Sequence, residues 1–413
     1  MLTTLYSGLH FLVDGVCAAA MFGLYAHQPG GYLSILLYNF CAFALQMPFG
    51  AVLDILCRRG RQGASQGHRQ ADAQNMPASS PASHENDPEA GQQFLQKKAF
   101  AFALLGTVLT VAGVFTSPII LGIGNGLFHV GGGVGTIGED RETGSAGRRL
   151  GVFVAPGAMG LYLGRLASES GAGGHYWLIG SFILMAALMV WLWIHLCARD
   201  ESAPQSVTKA AARDDSVPAA RHAAGAAPST QRAEADDPVP SKAPAAPLGK
   251  AGLAILLGCF LVVILRSFVG MQVSFPWRTT AVIGTIATAA VVFGKMAGGF
   301  LAASLGRMKT VVATLLIAAV CYAFSEAPIP GLLALLFFNM TMPITLQILV
   351  DRYKALPGTM FGLLTVALFV GFLPTYFSWA LPLPGKLLGL IGSLLSLVIL
   401  AGVCGFGEKD QGV

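Results

Sequence analysis

Residues 50–61 read Gly50-Ala51-Val52-Leu53-Asp54-Ile55-Leu56-Cys57-Arg58-Arg59-Gly60-Arg61, and residues 299–309 read Gly299-Phe300-Leu301-Ala302-Ala303-Ser304-Leu305-Gly306-Arg307-Met308-Lys309. In each, a glycine stands four positions before an Asp or Ala and eight before an Arg. Each stretch closes the second apolar run in its own half of the chain. A polar signature that recurs at the same place in two sets of hydrophobic segments points to duplicated units.

The segments around the two signatures are long enough to cross a bilayer. Of 413 residues, 54% are hydrophobic and only 11% charged, where a soluble domain carries about 25% charge. Mean hydropathy is +0.63. Spans are expected at residues 4–26, 31–53, 99–116, 118–137, 149–168, 175–197, 251–274, 280–303, 309–325, 330–350, 359–381 and 386–405, each near the roughly 20 residues that a hydrocarbon core requires. The fold class is therefore an all-α membrane protein of twelve transmembrane helices, in two pseudo-symmetric six-helix bundles. The net charge of +5 then reflects charge sorting across a membrane. No nucleic-acid partner is expected.

Arg58, Arg59, Arg61, Arg141, Arg148, Arg149, Arg199, Arg307, Lys309, Arg352 and Lys354 follow even-numbered spans, whereas the odd-numbered connections hold little beyond Arg278 and Lys386. Positive charge stays inside, so both termini are expected in the cytoplasm, in a bacterial inner membrane. Met1–His27 lacks a basic start and reads as an uncleaved helix. Two polar stretches cannot bury enough apolar surface to fold alone. One is an insertion at 62–96; the other, 199–249, is expected to be a disordered linker. The division is 1–198 for one bundle, 199–249 for the linker and 250–413 for the second bundle. The seven cysteines show neither metal-ligand nor disulfide spacing.

The repeated signature resembles the loop motif of the major facilitator superfamily, Gly-x-x-x-Asp-x-x-Gly-Arg-x-x-Arg. Cys57 stands where that motif has Gly, and Ala303 where it often has Asp. Further features are similar to the fosmidomycin-resistance-type drug exporters of that superfamily: His10-Phe-Leu-Val-Asp14 in span 1, Gly124-Asn125-Gly126-Leu-Phe128-His129 in span 4, and Pro156-Gly157-Ala-Met-Gly160-Leu-Tyr-Leu-Gly164 in span 5. Val130-Gly131 replaces the Pro-Glu of those exporters. The resemblance implies a monomeric secondary active transporter that moves a small molecule by alternating access in proton-coupled export. The alternatives are a nutrient or metabolite symporter or importer of the same fold, or a non-transporting sensor or assembly partner. It also implies that Gly50, Asp54, Arg58, Arg59, Gly299, Gly306, Arg307 and Lys309 form gating loops, with Asp54 facing the start of span 11 near Thr359. The other reading of these arginines is as topology signals alone.

Ionisable side chains in a bilayer are costly and mark functional candidates. His10 and Asp14 lie four apart, on one face of a helix. With His129 they are the proton-coupling candidates. The alternatives are an ion pair for Asp14 and plain packing for the histidines. Arg266 could bind an anionic substrate or pair with Asp14; Lys295 could do likewise or snorkel to the interface. Asn39, Asn125, Asn339 and Gln347 could bind substrate or bond between helices. Arg165 and Glu169 read as a rim pair. No catalytic residue, cofactor or metal ligand is expected. Gly63-Ala-Ser65-Gln-Gly67 matches a hydrolase pattern but has no strand before it or helix after it, so an enzyme is not expected.

Overall fold

The computed structural model describes residues 1–59, 88–214 and 249–409. In chain order the helices are α1 (Leu2–Tyr25), α2 (Gly31–Arg59), α3 (Pro88–Thr116), α4 (Pro118–Glu142), α5 (Arg148–Glu169) and α6 (Ala172–Asp214). They continue with α7 (Lys250–Gln272), α8 (Ala281–Leu305), α9 (Arg307–Ala323), α10 (Pro328–Arg352), α11 (Pro357–Tyr376) and α12 (Gly385–Lys409). Eleven are long and apolar enough to cross a membrane. The twelfth, α9, has 17 residues, or about 26 Å of helix, just short of the others.

The packing repeats with a shift of six helices. In the first half α1 packs on α5 and α6, and α4 on α2 and α3; in the second, α7 packs on α11 and α12, and α10 on α8 and α9. Contacts between halves obey the same symmetry: α2 meets α11 and α5 meets α8, while α4 touches α11 and α5 touches α10. This is the major facilitator fold of a multi-pass membrane protein. Its outer surface carries Val282, Phe293, Ile183 and Val398, each at least 61% exposed, as lipid contact demands and water would not tolerate.

Prolines interrupt several helices at informative places. A proline lacks an N–H and its ring clashes with the carbonyl four residues back. Pro48 accordingly follows a widened π turn at Phe40–Ala44 in α2. Pro343 follows a break at Met340 in α10. Pro156 splits α5 after Val154, which matters for the site below.

α3 starts at Pro88, so the last part of the 62–96 insertion is helical. α6 continues to Asp214, into the segment expected to be a linker. Residues 60–87 and 215–248 lie outside the described residues, and with them Arg61 and the hydrolase-like Gly63–Gly67 pattern.

Candidate functional site

A cavity of about 300 Å³ lies between the two halves. The first half contributes His10 and Asp14 from α1, Asn39, Phe43 and Gln46 from α2, and His129 from α4. The second contributes Arg266 and Ser267 from α7, Lys295 from α8, Asn339 and Thr345 from α10, and Phe361, Thr365, Phe369 and Phe372 from α11.

The first-half wall is built around the break in α5. Pro156 frees carbonyls that a continuous helix would occupy. Val152 O accepts from Ser7 Oγ at 3.2 Å, and Phe153 O lies 2.7 Å from His10 Nδ1. A carbonyl only accepts, so this Nδ1 carries hydrogen. His129 Nδ1 lies 2.8 Å from Asn125 O, the carbonyl one turn back on its own helix, and is protonated for the same reason. The two Nε2 atoms then face each other at 2.9 Å. Two neutral imidazoles would meet there lone pair to lone pair. One proton between them makes an N–H···N hydrogen bond of ordinary length. Asp14 stands beside both: Oδ2 is 3.2 Å from His10 Nε2 and Oδ1 is 3.6 Å from His129 Nε2. Asn125 Nδ2 donates to Asp14 Oδ1 at 3.0 Å. All four residues are buried, at 9% exposure or less, so the carboxylate is the natural counter-charge of a shared proton.

Gly157 makes room for this cluster. A Cβ there would fall on His10 Nε2 and Asp14 Oδ2. Gly160 and Gly164 similarly let α5 lie against the backbone of α1. Gly157→Ala is expected to cost about 1–3 kcal/mol by overpacking and to part the His10–His129 contact. Thermal unfolding of the purified variant beside its transport assay checks both; unchanged transport would show that the contact is dispensable.

Placement of the candidates is mixed. Arg266, Asn39 and Asn339 line the cavity, and Lys295 faces it too. No Arg266–Asp14 ion pair forms among the described residues, because Asp14 is engaged within its own half. Asn125 takes the interhelical alternative: it is buried behind Asp14 and donates to that carboxylate without lining the cavity. Gln347 also lies outside the cavity lining, with its side chain packed against Gly147, where α5 begins. The exposed Arg165–Glu169 pair forms at 3.3 Å.

One end of the cavity is shut by the repeated signature. Asp54 accepts hydrogen bonds from Gly358 N at 2.9 Å, Thr359 N at 2.8 Å and Thr359 Oγ1 at 2.6 Å. A carboxylate is favoured at a helix N-terminus, and this one joins α2 to α11 across the halves. Gly50 sits so close to Gly358 that a Cβ would strike its backbone. In the symmetry-related copy the acid is missing, and Ala303 takes its place. There the start of α5 is already capped by Asp140, which accepts from Gly147 N at 2.8 Å and Arg149 N at 3.1 Å. Gly299 packs on Gly147 O, Arg307 pairs with Asp351, and Lys309 is exposed in the first turn of α9. Arg141 adds a further tie between halves, donating to Val350 O at 2.6 Å and Lys354 O at 3.1 Å. Sequence reasoning missed Asp140 and Glu139. The latter accepts from Leu2 N at 3.2 Å and Thr3 N at 2.6 Å to cap α1; their signal was a pair of acids ending an apolar span.

At the opposite end two aromatic contacts join the halves. Tyr32 of α2 and Tyr376 of α11 stack at 4.0 Å, each hydroxyl donating to the other's carbonyl, at 2.5 and 3.1 Å. Tyr162 of α5 donates to Ala281 O of α8 at 3.0 Å.

No protein-family model matches the sequence, and no curated protein matches it significantly. Solved structures do match. A Major Facilitator Superfamily transporter, FucP, in its outward conformation aligns with a TM-score of 0.52 at 12% identity, covering 98% of each chain. A variant of the E. coli fucose:proton symporter FucP aligns with a TM-score of 0.52 at 13% identity, again over 98% of each chain. A bacterial homologue of the iron transporter ferroportin, outward-facing, gives 0.48 at 12% identity over the whole of both chains. Identity this low bears on fold alone, and the fold that the first two share with this chain is the major facilitator fold.

Proposed function

We propose that this chain is a secondary active transporter that moves a small molecule by alternating access, coupled to protons and working as an exporter in a bacterial inner membrane. The observation that carries the reading is the convergence of His10, His129 and Asp14 on the wall of a cavity between two packed halves. The three side chains come within 4.8 Å of one another. A divalent ion there would bring two charges to a cavity that already holds Arg266 and Lys295, whereas a proton matches the 2.9 Å separation of the two Nε2 atoms.

The arginine and lysine distribution supports a cytoplasmic position for the Asp54 end and both termini. The Asp54 latch at that end and the Tyr32–Tyr376 and Tyr162–Ala281 contacts at the other tie the halves on both sides of the cavity. Rocking of the halves parts Asp54 from α11. Because α1 packs on α5, and α5 meets α8 of the other half, the same motion disturbs the carbonyl that holds His10. Loss of the shared proton in one state and its recovery in the other would couple the cycle to the proton gradient. Both halves and both sets of inter-half ties belong to one chain, which fits a monomer.

The test uses proteoliposomes of the full chain with an imposed pH gradient and a panel of small organic molecules. Dissipation of the gradient on addition of a panel member, absent from empty liposomes, is the expected result. Flux of a panel member that leaves the gradient intact would remove proton coupling; no flux at all would favour a sensor or assembly role.

A further inference from the structure

We infer that the cavity's second-half wall is a binding site for a small amphipathic organic anion, a carboxylate or phosphonate head on an apolar body. This rests on reading the cavity as the transport site, and it adds the class of cargo.

Arg266 is only 7% exposed. It makes no hydrogen bond or ion pair to any described residue, and its Nη1 is buried without a partner. A guanidinium cannot escape this cost by losing its proton. A buried charge without a partner costs several kcal/mol, so a fold that retains one has left a place for an anion. Lys295 lies on the same cavity, within electrostatic reach of both Arg266 and Asp14, and forms no direct ion pair among the described residues. The one carboxylate on the cavity wall, Asp14, is balanced within its own cluster by the shared proton. Among the described residues the cavity wall therefore carries more positive than negative charge, and no carboxylate pairs with the Arg266 guanidinium.

The remaining wall defines the body of the ligand. Phe43 of α2 and Phe361, Phe369 and Phe372 of α11 are aromatic, with Leu364 and Leu368 between them. A planar fork that binds carboxylate or phosphonate oxygens in pairs, set in an apolar aromatic chamber, selects a ligand charged at one end and greasy at the other. The volume of about 300 Å³ is at the small end for ligand pockets, which limits the body to about one ring with a short chain. Simple inorganic anions would leave the aromatic wall unused.

Purified full-length protein in nanodiscs is titrated by calorimetry with benzoate, 4-phenylbutyrate and phenylphosphonate, and with benzamide and 4-phenylbutanol as neutral counterparts. The expected result is binding of the anions at least tenfold tighter than of the neutral compounds, and a further loss of about 10–100-fold in Arg266→Gln. Lys295→Gln is expected to lose less, since an ammonium lacks the paired geometry. A second readout separates a ligand site from a structural role: without ligand, Arg266→Gln is expected to unfold at a higher temperature than wild type, because it sheds an unpartnered buried charge. Neutral compounds binding as well as anions, undiminished anion affinity in Arg266→Gln, or a lower unfolding temperature of that variant would each overturn the inference. Binding needs neither transport nor a proton gradient. A protein that binds these anions but moves none refutes the transport reading alone; one that dissipates gradients with neutral cargo refutes the anion site alone.

Discussion

Asp14→Asn leaves the protein folded in the membrane and removes gradient-driven transport, by about 100-fold or more. The carboxylate is the counter-charge for the proton held between His10 and His129, with contacts of 3.2 and 3.6 Å. Breaking a buried ion pair from one side costs about 3–5 kcal/mol, or roughly two to four powers of ten in the equilibrium that keeps that proton in place. Asparagine keeps the shape of the side chain and its hydrogen bonding to Asn125, so packing survives. The His10–His129 pair then has no anion to stabilise its charged form, and the two rings part. In proteoliposomes the variant is expected to give no gradient dissipation with any compound that the wild type transports, and to retain downhill exchange of that compound. Wild-type dissipation in Asp14→Asn would show that the coupling proton rides elsewhere.

Asp54→Ala is the second large effect, and it acts on the distribution of states. The carboxylate accepts three hydrogen bonds at the start of α11. Hydrogen bonds to a charged group contribute about 1.5–3 kcal/mol each, and three on one group do not add in full. A net loss of about 3 kcal/mol moves the closed-to-open balance at this end by about 150-fold. Spin labels at the ends of α2 and α11 report it: a single short distance in the wild type is expected to give way to a broad longer population in the variant. Ser304→Ala, in the copy of the signature that holds no acid, should leave the distribution as it was. A distance unchanged by Asp54→Ala would show that Arg141 and the packing of Gly50 on Gly358 hold this end shut without the carboxylate.

Much of this is legible in the amino-acid sequence alone. Apolar length gave the twelve helices, and the repeated Gly50 and Gly299 stretches gave their division into sixes. The approach of Asp54 to Thr359 followed from the resemblance those stretches carry. Proximity along one helix is also readable, which is why His10 and Asp14 could be paired from a spacing of four. What the sequence could not show depends on how helices meet. The bond from His129 to His10 needs α1 and α4 in register, and no local pattern encodes that register. The role of Pro156-Gly157 lay in a carbonyl released to a neighbouring helix and a Cβ left out beneath it. Asn125 and Gln347 looked alike as polar residues in apolar runs, yet packing sends one to brace Asp14 and the other to an inter-half seam. Ala303 looked like decay of a motif until Asp140 was seen to cap the helix that the missing acid would have faced.

The shared proton is the centre of this account, and nitrogen NMR of the reconstituted full chain, labelled at histidine, observes it directly. At neutral pH the expected spectrum shows His10 and His129 with both Nδ1 atoms protonated and their Nε2 atoms coupled through one proton, a pattern lost in Asp14→Asn. Two ordinary neutral imidazoles with unprotonated, uncoupled Nε2 atoms would contradict it.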